Sequence, residues 1–170
     1  MNGATPENTV KLPMMPGNVR AIQVVSIIEE IDELGTGVHL TKLAEKTRVD
    51  TQVLVSILSA AEMLGLIRSE NGRLFLTEEC EKLKQVEMGK VAALMKGKVA
   101  TIEPFRTAIG LASKGGATTA SEVAKTLEGR GIEWHFKPEQ NEVLVRSLLI
   151  HWAIRTGLLS YDGKKFSLVQ

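Results

Sequence analysis

Cysteine is nearly absent from this 170-residue chain; Cys80 stands alone. One thiol closes no internal disulfide, which argues against a stapled secreted scaffold. Aromatic residues make up only 4% of the sequence, so any core must be aliphatic. Neither sign of charge prevails: 21 Lys and Arg meet 20 Asp and Glu, a formal net charge of +1. The overall basic excess common among nucleic-acid binders is therefore missing, and a basic stripe would have to be local. No apolar run reaches membrane-spanning length; the best, over residues 54–67, is short and contains Glu62. Residues 1–18 hold Pro6, Pro13 and Pro16 but no apolar stretch of the signal-peptide kind. These absences predict a soluble cytoplasmic protein with no membrane insertion.

Catalytic and metal signatures are missing too. His135, His151, Glu139, Glu142 and Cys80 form neither an H-x-x-x-H nor a C-x-x-C pattern, the spacings by which one element presents two ligands to a metal. Nothing local activates Cys80, which reads as a small buried hydrophobe. His151, beside Trp152 on an apolar helix, reads as a packed core histidine. The expectation is a non-enzyme with no catalytic, cofactor-binding or metal residues and no cofactor.

What is present is enough apolar material, 44%, for a real core, patterned into elements. Residues 1–17 read as a flexible tail. Apolar positions at 19, 22, 25, 28 and again at 24, 27, 31, 34 predict a helix buried on two sides. A short helix over 40–47 turns Leu43 and Ala44 inward. Asp50 caps a helix over 51–64 whose core residues are Val53, Ile57, Leu58, Ala61 and Leu64. Gly65 ends it, and Asn71-Gly72 between two strand-like runs predicts a hairpin, since that turn needs positive φ. Thr77 opens a helix over 78–96. Another covers 99–113, broken or started at Pro104. Thr119 and Glu122 fit a capping box before Val123, Ala124 and Leu127. A long helix from Pro138 to Thr156 ends at Gly157, followed by a second hairpin around Asp162-Gly163.

The halves echo each other. Leu43-Ala44-Glu45-Lys46-Thr47 parallels Val123-Ala124-Lys125-Thr126-Leu127; Gly65-Leu66-Ile67 parallels Gly157-Leu158-Leu159; Gly72 and Phe75 parallel Gly163 and Phe166. The predicted fold class is mainly α with small β-hairpins (α+β): two winged-helix-like units in tandem joined by a helical linker. The boundaries are 1–17 tail, 18–77 first unit, 78–115 linker and 116–170 second unit.

A winged helix suggests DNA, with the third helix in the major groove and the wing on phosphate. That helix would present Thr51, Gln52, Ser56 and Ser59, types that can read bases. Residues 50–67 nevertheless contain no Lys or Arg, while Asp50 and Glu62 are acidic. Phosphate neutralisation supplies much of DNA affinity, so the footprint is poor. Arg48, Arg68 and Arg73 flank it. In the second half Arg146, Lys164 and Lys165 are candidate contacts, accompanied by Glu139 and Glu142. These residues are the candidates for touching DNA or a protein partner. A long apolar series, Met88, Val91, Leu94, Met95, Val99, Ile102, Phe105 and Ile109, reads either as inter-unit core or as a partner or homodimer surface.

Pro16-Gly17 before the first helix, Ala60-Ala61-Glu62-Met63-Leu64-Gly65-Leu66, Gly72 with Leu74-Phe75-Leu76-Thr77-Glu78, and Trp152 with Leu159-Ser160-Tyr161-Asp162 resemble the AAA-associated C-terminal domain. That domain is appended to ATPase subunits of nitrate-, sulfonate- and taurine-type ABC importers and also occurs free-standing. The resemblance implies a regulatory or protein-interaction module linked to an ABC-importer ATPase subunit or its control. It implies no hydrolysis here: Met95-Lys96-Gly97-Lys98 and Gly115-Gly116 do not complete G-x-x-x-x-G-K-[ST], whose amides and lysine cradle phosphates. The alternative is a DNA-binding transcriptional regulator.

Overall fold

The computed structural model describes residues 14–84, 95–130, 132 and 138–170. It is mainly helical, with two small antiparallel sheets. Helix α1 (Ala21–Leu34) buries Val24, Ile27 and Ile31. Of the other expected stripe, Val19 is buried just ahead of the helix, Val25 and Ile28 are half-buried and Ile22 is 61% exposed. Strand β1 (Val38–His39) leads into α2 (Leu40–Thr47), which buries Leu43. Asp50 caps α3 (Thr51–Met63) as expected, its Oδ1 accepting the Gln52 amide at 2.9 Å and the Val53 amide at 3.4 Å. The buried face of α3 carries Leu54, Ile57, Leu58, Ala60 and Ala61, while Val53 is only half-buried.

Strands β2 (Ile67–Glu70) and β3 (Arg73–Leu76) follow, with β1 on the other edge of β3. Asn71 (φ 50°) and Gly72 (φ 75°) both lie in the left-handed region that a two-residue hairpin turn of this kind demands. Helix α4 (Glu78–Lys84) starts where Thr77 Oγ1 accepts the Cys80 amide at 3.2 Å. Lys84 ties α4 back to Asp32 of α1. The helix expected over 78–96 is seen to Lys84; residues 85–94 lie outside the described part, and residues 95–99 are helical again.

In the second half α5 (Phe105–Gly115) begins after Pro104, and Glu103 Oε2 accepts the Thr107 amide at 3.1 Å. The capping box forms at the start of α6 (Ala120–Gly129): Thr119 N donates to Glu122 Oε2 at 2.9 Å, and Glu122 N donates to Thr119 Oγ1 at 3.2 Å. Helix α7 (Pro138–Leu148) departs from expectation. It passes into a π-helical segment, Leu149–Ile154, rather than running to Thr156 as one α-helix. Leu148, Leu149, Trp152 and Ala153 are all buried on this stretch. Strands β4 (Leu159–Tyr161) and β5 (Phe166–Leu168) close the chain.

Both halves show helix, short pairing residue, helix, helix and hairpin. Val38 pairs with Leu74 in the first half as Thr118 pairs with Phe166 in the second. This register corrects one sequence parallel. Phe75 points outward while Phe166 is fully buried and stacks on Tyr161 at 4.4 Å. The second turn spans Asp162–Lys165, where Asp162 N donates to Lys165 O at 3.2 Å, against two residues in the first. Counting from the glycine therefore misplaces the face, since a one-residue shift reverses a strand.

One core cluster runs through both halves. Residues 14–20 cross from the first half onto the second. Met15, expected in a flexible tail, is 1% exposed, and its amide donates to Glu103 O at 2.9 Å. The Trp152 indole donates Nε1–H to Val19 O at 2.8 Å, fully buried. Among the described residues no helix is long and apolar enough to cross a membrane.

Candidate functional site

Local sequence forces decide what α3 shows to solvent. Its apolar face is spent on the core, so Thr51, Gln52, Val55, Ser59 and Glu62 remain exposed, a run that follows one side of the helix. Val55 sits mid-stripe at 51% exposure. Sequence reasoning missed it, although an apolar residue out of phase with the buried positions was the available signal. Ser56 is half-buried, and its hydroxyl donates to Gln52 O at 3.1 Å. The exposed stripe carries no cation and one carboxylate, Glu62.

The hairpin arginines are already engaged. Pairing of Arg68 with Phe75 and of Glu70 with Arg73 puts all four side chains on the outer face of the hairpin. Arg68 donates to Glu70 Oε2 at 2.6 Å and lies 4.9 Å from the Phe75 ring centroid. Arg73 donates to Gly37 O at 3.0 Å. Arg48 is exposed just before the Asp50 cap, as the left-handed residue that closes α2. The structure thus groups Arg48 with Thr51 and Gln52 at one end of α3, and Arg68 with Arg73 on the hairpin.

The second-half candidates occupy other elements. Arg146 lies on α7 and donates to Glu142 Oε1 at 2.8 Å. Lys164 and Lys165 lie in the last turn, where their backbone amides donate to Asp162 Oδ1 at 2.8 Å and 2.7 Å. Those amides hold the Asp162 carboxyl below its ordinary range, so the two lysines share their turn with a firmly ionised acid.

The described part of the apolar series between the halves is core: Met95, Val99, Ile102 and Phe105 are buried and Ile109 is partly so. Met88, Val91 and Leu94 lie outside the described residues. Beside the series a groove of about 550 Å³ is floored by Leu64, Leu66, Leu83 and Met95. Its rim is internally paired, with Lys98 3.2 Å from Glu79.

Cys80 is fully buried, and burial pushes its thiol up to about 11, the opposite of an activated nucleophile. His151 is half-buried rather than enclosed. Among the described residues no cluster of His, Cys, Asp or Glu could hold a metal ion.

A family model for the C-terminal AAA-associated domain matches residues 41–162, from α2 through β4. The chain belongs to that family. No curated protein matches this AAA-associated domain, and no solved structure does. The matched stretch contains α3, both arginines of the first hairpin and the π-helical segment, so all the first-half candidate residues from Arg48 to Arg73 fall within it.

Proposed function

We propose that this AAA-associated domain is a non-catalytic regulatory module, built of two winged-helix-like units in tandem, that docks in the cytoplasm on the ATPase subunit of an ABC importer. The family supplies the class of partner. The observation that carries the choice of protein over DNA is the exposed stripe of α3. A recognition helix on DNA gains from cations near phosphate, and each neutralised phosphate adds affinity through released counterions. The α3 stripe offers Thr51, Gln52, Val55, Ser59 and Glu62. An uncharged centre with an apolar residue and a polar rim suits a protein surface. The hairpin arginines, turned to Glu70 and to a backbone carbonyl, add little free positive charge beside it.

The test is association of the purified domain with an importer ATPase subunit from the same cell, measured by light scattering after size exclusion. A stoichiometric complex is expected, weakened about tenfold or more by Val55→Arg, which buries an unpaired charge in the contact. The reading fails if the two never co-elute while the domain shifts duplex DNA at low salt and loses that shift with Lys164→Ala and Lys165→Ala.

A further inference from the structure

Residues 17–20 lie across α7 and the π-helical segment, and a polar cavity of about 120 Å³ is left between them. The crossing is tight. A Cβ at Gly17 would meet Leu144 Cδ1 at 2.0 Å, so a side chain there would have to push the Leu144 tip aside. The Trp152–Val19 hydrogen bond fixes the next turn of the crossing. The polar residues that line the cavity are Asn18 and Arg20, both exposed, from the crossing segment and Ser147 and His151 from the helix; among the described residues no carboxylate lines it.

The local charge has one sign. Arg20 and Arg155 both bear on His151, and together with burial, the largest cause, they hold its imidazole below its ordinary pKa. Residues bearing guanidinium, imidazole, hydroxyl and amide groups at one cavity, with no acid beside them among the described residues, offer a donor set for an anion, and charge-assisted bonds from arginine are the stronger kind. The cavity is small and partly open. At roughly 30 Å³ per water, it holds the equivalent of a few waters, room enough for a small oxyanion. His151 also stands on π-helical backbone, a rare geometry that recurs at functional sites.

We propose that Asn18, Arg20, Ser147 and His151 form a binding site for a small oxyanion of the phosphate or sulfate class, at the seam where residues 17–20 meet α7. Its walls come from both sides of that seam, so an anion bound there clamps the crossing segment to the second half. The site gives the module a small-molecule input whether or not its partner is an ATPase.

The test follows the ring resonances of His151 in histidine-labelled protein during titration with sodium sulfate, at constant ionic strength made up with chloride. Sulfate keeps its charge throughout, and His151→Gln assigns the signal. A saturable shift at His151 but not at His39 is expected, with the His151 pKa raised as the anion offsets Arg20 and Arg155. Arg20→Gln should weaken binding about tenfold, as loss of a charge-assisted bond does, with an unchanged circular dichroism spectrum. Calorimetric titration of the unmodified protein gives a readout independent of any variant. Inorganic phosphate and methyl phosphate then separate a free ion, which binds better bare, from phosphate carried on a larger molecule, for which the two bind alike. Shifts that never saturate, heats no larger than those of chloride, or affinity unchanged in Arg20→Gln would overturn the assignment.

Discussion

Replacing Trp152 by Phe tests whether the two halves are locked into one body. The indole is fully buried, 6.5 Å between ring centroids from Phe105, and donates to Val19 O at 2.8 Å across the seam. Phenylalanine keeps an aromatic ring beside Phe105 but removes the donor. A buried carbonyl left without its partner costs about 1–3 kcal/mol. The missing part of the ring adds about 1–2 kcal/mol in lost burial and residual cavity. A destabilisation of about 2–5 kcal/mol is therefore expected, a large share of the total for a small protein. Urea unfolding followed by far-ultraviolet circular dichroism measures it, with the slope unchanged. Hydrogen exchange adds a local readout. The Met15 amide, bonded to Glu103 O, should lose protection more than amides in α3 do. A loss below about 1 kcal/mol, with Met15 protection intact, would refute the claim that this bond holds the seam.

Ile57, 3% exposed on α3, should cost about 2–5 kcal/mol when cut to Ala; an unchanged melting temperature would contradict its placement in the core. Cys80, buried and with its thiol pushed up to about 11, should resist a thiol reagent at pH 8 until urea unfolds the chain; rapid labelling of the native protein would contradict that burial. His151 has a lowered pKa in the folded state, so the unfolded chain binds its proton more readily, and stability at this site falls as pH drops below the unfolded value of about 6.5. In a buffer free of oxyanions, the wild type should lose more stability than His151→Gln between pH 7.5 and 5, as melting temperatures would record; equal losses would contradict the shift.

Much of the fold was legible because local chemistry agrees with it. Asn71-Gly72 fixes the first hairpin through its two positive φ angles, Asp50 caps α3, and Thr119 with Glu122 closes its box. Each is a local signal that does not depend on distant parts of the chain. What was illegible depends on long-range packing. Met15 sits among prolines, glycine and polar residues in sequence, and only the second half makes it core. The π-helical turn was likewise not legible: the apolar run from Leu144 to Ala153 suits either geometry, and nothing local marks the wider one. Phe75 and Phe166 match by counting yet face opposite ways, because the two turns differ in length. At the candidate surface, the poverty of α3 in cations was legible directly. The exposure of Val55 was signalled only by its being out of phase with the buried positions, and apolar residues on a helix are read as core by default. Arg20 and His151 lie 131 positions apart in sequence, and no spacing rule connects them.

Hydrogen exchange of the domain, alone and with an excess of an importer ATPase subunit, tests the central claim most directly. Slower exchange should appear along α3 from Thr51 to Glu62, and duplex DNA should leave the same amides unchanged. Protection produced by DNA and not by the ATPase would contradict the account.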